Sequence, residues 1–238
     1  MRAPCSLEQA SVEIGASGAP VLFLDTCCIL DIIRAPKRGM FRQVRAAQHI
    51  VEASRASPSR LSLVLSQKVS EEWERNIENV AAQAVEWTVE LCNGLSKLQE
   101  LSRLLGSGLI VPPNPVDHSS TISILTALAQ NVRDAGTVLD SDVRCERLAF
   151  ERCIQGIPPA GQGECLGDCI ILEHYLELCR QLRSKAFNGA CVFATSNTKD
   201  YCGKMRELHP DLVEQFRPIK LKWAGDLAWA LHECGCPM

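Results

Sequence analysis

Four short apolar runs constrain this chain more than any other feature. VLFLD (21–25), LSLVL (61–65), ACVFA (190–194) and IKLKW (219–223) each have the length of a strand. The stretches between them place apolar residues three and four apart, the spacing of amphipathic helices. Short strands alternating with helices predict an α/β fold with a mostly parallel central sheet of four or five strands flanked by helices.

The helices are read as follows. One runs from about Cys28 to Arg34 and is broken by Pro36 and Gly39; another fits 41–54. A long one starts near Gln67 and is stopped by LLGSGLIVPPNPVD at 104–117. Two more are expected at 119–132 and 141–154, then a loop, GIPPAGQGE, at 156–164. A helix at 167–185 and a closing helix after residue 223 complete the set. Residues 1–18, rich in Ala, Ser and Gly, read as a flexible lead-in, and 19–238 as a single domain. Residues 86–155 carry no strand signal and read as a helical insertion.

In a doubly wound sheet, ligands bind at the C-terminal ends of the strands. The first strand delivers Asp25 and Thr26 there. The second leads into a helix with Glu71 and Glu72 in its first turns, and Asp168 opens the helix at 167–185. The third delivers Thr195, Ser196, Asn197, Thr198 and Asp200. Each acid has an ordinary alternative as a cap, a turn residue or a solvated face. Converging carboxylates repel one another unless a divalent cation sits among them. Oxygen-only ligands favour Mg²⁺ or Mn²⁺ over Zn²⁺, and such a site activates water against a phosphodiester.

The same segments resemble the PIN-domain (PIN-like) metal-dependent ribonucleases. VLFLDTCCILDIIR is similar to the family's opening strand, Asp-Thr and helix; VSEEWERN (69–76) resembles its second motif, GDCIILEHYLEL (167–178) its third, and VFATSNTKDY (192–201) its fourth. They occur in family order, and the long middle insertion is similar to the larger bacterial type. The resemblance implies a three-layer α/β/α domain. It also implies that Asp25, Glu72, Asp168 and Asp200 are the catalytic acids and hold one or two Mg²⁺ or Mn²⁺ ions, with Glu71 the fallback for Glu72. The implied activity is hydrolysis of RNA to 5′-phosphate and 3′-hydroxyl products, with a toxin countered by an antitoxin protein as one biological setting. Two positions depart from the family pattern: Cys27 stands where Asn is common, and Glu164 and Cys165 where a base often precedes Gly167. The alternative is a catalytically inactive PIN-like module that binds RNA or protein.

The chain of 238 residues has a net charge of −3, which excludes a uniformly basic nucleic-acid binder. The charge is uneven, however. Arg34, Lys37, Arg38, Arg42, Arg45, Arg55 and Arg60 face only Glu52 between residues 34 and 60. This segment is a candidate phosphate-backbone track, or else a solvated helix face. The candidate substrate contacts are Thr26, Ser196, Asn197, Arg34, Lys37, Arg38 and Arg42. DNA stays open as a substrate beside RNA, and so does a homodimer.

The 13 cysteines are an odd number. MRAPCSLEQASVEIGASG has no continuous apolar segment to act as an export signal, so a cytoplasmic location and reduced, mostly buried thiols are expected. Cys165 and Cys169 flank Asp168 at helical spacing, where they could hold a soft metal, be oxidised or pack in the core. Cys28 to Arg34 matches the Cys-x5-Arg of thiol phosphatases, but Ile-Leu-Asp-Ile-Ile between them reads as a buried helix rather than a phosphate loop. Cys234, Cys236 and His232 read as a frayed tail rather than half of a metal site.

Overall fold

The computed structural model describes residues 3–106, 118–161 and 165–236. Residues 107–117 of the expected helix stop and 162–164 of the expected loop, Glu164 included, lie outside them. Five strands form one sheet: β1 (Val21–Leu24), β2 (Ser62–Ser66), β3 (Thr137–Leu139), β4 (Cys191–Ala194) and β5 (Leu221–Ala224). All pairs are parallel, in the order β3-β2-β1-β4-β5. The helices are α1 (Leu7–Ser17), α2 (Thr26–Arg38), α3 (Phe41–Arg55), α4 (Gln67–Leu104), α5 (His118–Ala135), α6 (Val143–Gln155), α7 (Leu166–Ser184), α8 (Thr198–Tyr201), α9 (Pro210–Phe216) and α10 (Leu227–Glu233). α1 and α6 pack on α7, while α2, α3, α5 and α10 pack among themselves, with α4 against α2 and α5. The result is an α/β/α fold with a helical insertion.

The order of the strands decides where a site can form. The chain builds outward from β1 through β2 to β3, then returns to the other side of β1 for β4 and β5. The crossovers leaving β1 and β4 diverge, which opens a crevice at the C-terminal ends of these two strands. All four residues of β1 and of β4 are buried, as a central parallel strand covered on both faces must be. Tyr175 of α7 ties the strand ends together. Its hydroxyl donates to Leu24 O at 2.6 Å and accepts from Ser66 N at 3.0 Å.

Three expectations need correction. The lead-in is not loose: α1 is capped by Ser6, and Cys5 bonds β3 from Cys5 N to Val138 O at 2.9 Å and from Asp140 N to Cys5 O at 2.9 Å. The apolar side of α1 (Leu7, Ala10, Ile14) is buried, and this holds the segment in place. The region 86–155 is not wholly helical, because it contains β3. Three residues at a sheet edge are too few to show a period. Finally, α2 continues past Pro36 to Arg38 and ends at Gly39, whose φ is 66°. A proline in the last turn costs the helix one backbone bond, while Lys37 and Arg38 favour its C-terminal dipole.

Among the described residues, no helix is long and apolar enough to cross a membrane.

Candidate metal centre

Asp25 directly follows β1 and is the N-cap of α2, yet its side chain makes no capping bond. The carboxylate is held from the β4 side instead. Thr195 Oγ1 donates to its Oδ2 at 2.6 Å, and Cys27 Sγ donates to the same oxygen at 3.2 Å. Asp25 is only 3% exposed. Burial pushes its pKa up, and the bonds from Thr195 and Cys27 pull the other way. Cys27, where the resembled family often has Asn, thus supplies a donor to the first acid.

Glu72 reaches the site from the second turn of α4, a helix started by Ser66, whose hydroxyl accepts from Lys68 N at 3.2 Å. Thr26 Oγ1 donates to Glu72 Oε2 at 2.8 Å. Burial raises the pKa of Glu72, and the Thr26 bond opposes it. Glu71 lies on the exposed side of the same turn, with Lys68 Nζ at 3.4 Å from its carboxylate, so Glu72 is the acid that faces Asp25.

Asp168 sits in the first turn of α7 and Asp200 in α8. Asn197 bridges them: its Nδ2 donates to Asp168 Oδ2 at 3.3 Å and to Asp200 Oδ2 at 2.9 Å. Tyr201 Oη donates to the backbone oxygen of Asp168 at 3.2 Å. Two glycines make room for the acids. A Cβ on Gly167 would lie 2.6 Å from Glu72 Oε1, and one on Gly161 would lie 2.7 Å from Asp200 Oδ1. The Asp168 carboxyl is pushed up to about 8, first by burial and then by the charges of Asp25, Glu72 and Asp200. The four acids therefore share one electrostatic site.

That site is wider than a single coordination sphere. Among the described residues, the three ligand atoms found within 4.8 Å of one another are thiols, not carboxylates. The donor chemistry of the acids still fits a hard divalent cation: all donors are oxygens, and their mutual repulsion is what such an ion relieves.

The candidate substrate contacts divide. Thr26 and Asn197 are bonded to the acids. Ser196 is bonded elsewhere: its Oγ donates to Asp31 Oδ2 at 2.8 Å. Asp31 also draws in Arg38 Nη1 at 2.6 Å and Arg34 Nη1 at 3.4 Å. Two of the expected bases are thereby partly neutralised by a carboxylate only 2% exposed. Arg34, Lys37 and Arg38 line a cleft with Val80 and Gln83 of α4. Its lining residues lie about 12–20 Å along the two helices from the acids, at about 1.5 Å per residue. Arg42 is exposed on α3, outside that cleft.

Sequence reasoning missed Asp31 and Tyr175, and it placed Thr195 and Gly167 at the site without giving either a role. Asp31 had a signal, a lone acid inside Ile-Leu-Asp-Ile-Ile; a buried tyrosine that ties two strands has none. Cys28 and Arg34 lie within α2, so no phosphate-wrapping loop joins them. The C-terminal tail is packed through Cys236, whose N donates to Leu231 O at 2.9 Å.

Beside the acids, Cys153 of α6 meets Cys165 and Cys169. Cys165 Sγ lies 3.3 Å and Cys169 Sγ 3.5 Å from Cys153 Sγ. Burial raises the pKa of Cys153 and of Cys169.

No protein-family model, curated protein or solved structure matches this chain.

Proposed function

We propose that this chain is a metal-dependent endoribonuclease that hydrolyses phosphodiester bonds with Asp25, Glu72, Asp168 and Asp200 around one or two Mg²⁺ or Mn²⁺ ions. The observation that carries this reading is the convergence of four carboxylates at the crevice beside β1 and β4, close enough that three of them raise the pKa of Asp168. The ordered resemblance to PIN-domain ribonucleases supports the same reading and supplies RNA as the substrate.

A divalent cation bound there neutralises charge on the scissile phosphate and lowers the pKa of water. The chain's own residues do the rest. Thr195 and Cys27 fix Asp25, Thr26 fixes Glu72, and Asn197 holds Asp168 and Asp200 at a set separation. Lys37, exposed like Arg38 but not drawn to Asp31, meets the phosphate backbone away from the cut, with Arg34 and Arg38 beside it.

The test is direct. Purified chain is incubated with single-stranded RNA and a matched DNA strand in Mn²⁺, with and without chelator, beside Asp25→Asn and Asp200→Asn. Metal-dependent cleavage of RNA that both substitutions abolish is expected. Cleavage that survives both would refute the four-acid site, and binding without cleavage would favour the inactive PIN-like module. A toxin role adds a second expectation: growth arrest on expression that the Asp25→Asn variant does not cause.

A further inference from the structure

The thiol cluster beside the acids is not used in the proposed reaction, and where Cys179 and Cys191 or Cys27 and Cys28 meet only in pairs, it brings three sulfurs together. Cys27, Cys145, Cys234 and Cys236 direct their thiols to oxygen: to the Asp25 carboxylate and to the backbone oxygens of Glu173, Val21 and Arg60. The hydrogen bonds of Cys153, Cys165 and Cys169 run among their own sulfurs. All three Sγ atoms lie within 4.8 Å of one another, and they come from two elements of the fold. Cys153 is on α6, Cys165 directly precedes α7, and Cys169 is in its first turn. Cys169 is buried, while Cys153 and Cys165 are half-buried and line a cleft that Glu72 and Asp168 also border. The sulfurs are thus clustered and reachable from solvent.

We propose that Cys153, Cys165 and Cys169 form a second metal site, which takes Zn²⁺ through three thiolates with its fourth position open to the cleft. Three soft donors select a thiophilic ion, not the hard cation that suits four carboxylates. Tetrahedral Zn²⁺ with bonds of about 2.3 Å sets its sulfurs about 3.8 Å apart. The observed 3.3 and 3.5 Å fall a few tenths of an ångström short, so the thiols need only spread slightly. A planar three-coordinate ion would need a wider spread, about 4.0 Å for bonds of the same length. Three protein ligands with one position left for water is a known zinc arrangement. An ion there would pin the end of α6 to the start of α7, next to Asp168. The site is independent of the nuclease reading, since it uses different ligands and a different class of ion.

The experiment uses the full, reduced chain under argon with excess Mg²⁺ to occupy oxygen ligands. Zn²⁺ is added in competition with a chromophoric chelator, and Co²⁺ is substituted in a parallel sample. Retention of a single equivalent of Zn²⁺ is expected, with an intense sulfur-to-cobalt charge-transfer band in the Co²⁺ sample, which carboxylates do not give. Cys153→Ser/Cys165→Ser should lose both signals, while Asp25→Asn and Cys236→Ser should keep both. Failure of wild-type chain to retain Zn²⁺ overturns the proposal, as does retention without the thiolate band. Unchanged binding by the double serine variant overturns it as well. Because the wild-type signals are decisive alone, misfolding of a variant does not rescue it. Loss of RNA cleavage with Zn²⁺ binding intact would count against the nuclease reading only.

Discussion

Replacing Asp168 by Asn should stabilise the protein while destroying the proposed activity. The Asp168 carboxyl moves from its ordinary 3.8 to about 8. At about 1.36 kcal/mol per unit, ionising it in the fold costs up to about 6 kcal/mol, and partial solvent access and relaxation bring that to about 2 kcal/mol. Between pH 3.8 and about 8 the unfolded chain has released this proton and the folded chain retains it. Folded protein then binds more protons than unfolded, so this group makes stability fall as pH rises through that window. Asn carries no such penalty and can keep the contact with Asn197. The variant's advantage should be near zero at pH 4 and reach its full value above pH 8. For a chain of this size that is about 4–8 °C in Tm at the upper end. Asp25 and Glu72 are raised as well, so the variant keeps a shallower slope of the same sign. Urea denaturation in chelator across this range measures it. A variant less stable than wild type at pH 8, or equally favoured at pH 4 and pH 8, would refute the argument. Saturating Mn²⁺ should shrink the difference, because a cation relieves the same repulsion.

Three further outcomes are expected. Tyr175→Phe removes the hydroxyl that joins Leu24 O and Ser66 N, and should cost about 1–3 kcal/mol in urea denaturation, since both backbone groups lose a buried partner. Gly167→Ala places a Cβ 2.6 Å from Glu72 Oε1; the flexible carboxylate can swing away, so stability should change by less than about 1 kcal/mol while Mn²⁺ affinity and cleavage fall at least about tenfold. Unchanged Mn²⁺ binding by that variant would remove Glu72 from the ligand set. Lys37→Ala should weaken binding to single-stranded RNA and reduce the salt slope of log K by about 0.7, measured by fluorescence anisotropy; an unchanged slope would place the backbone track elsewhere.

Much of the site was legible because its acids sit at the ends of elements. Asp25 closes an apolar run, Asp168 opens a helix, and Asp200 follows a strand by a few residues, so one-dimensional order already placed them at one edge of a parallel sheet. Glu72 could be separated from Glu71 only by the helical face each occupies, a matter of 100° on a helix whose orientation the fold sets. The basic segment was read less well. Composition shows Arg34 and Arg38 as free positive charge, whereas Asp31 binds both.

The sequence by itself determined the class of fold, since the strand-length runs and helical spacings admit little else, and it set Asp25, Asp168, Asp200 and the Glu71–Glu72 pair at one sheet edge. Tertiary structure decided what no local pattern encodes. It recruited β3 as an edge strand and bound the N-terminal segment against it. It joined β1 to β2 through Tyr175. It also brought Cys153 to Cys165 and Cys169, sulfurs separated in the chain by a loop and the packing of α6 on α7. Local periodicity reports which face of an element is apolar; only the packing of those faces fixes which side chains from distant elements meet.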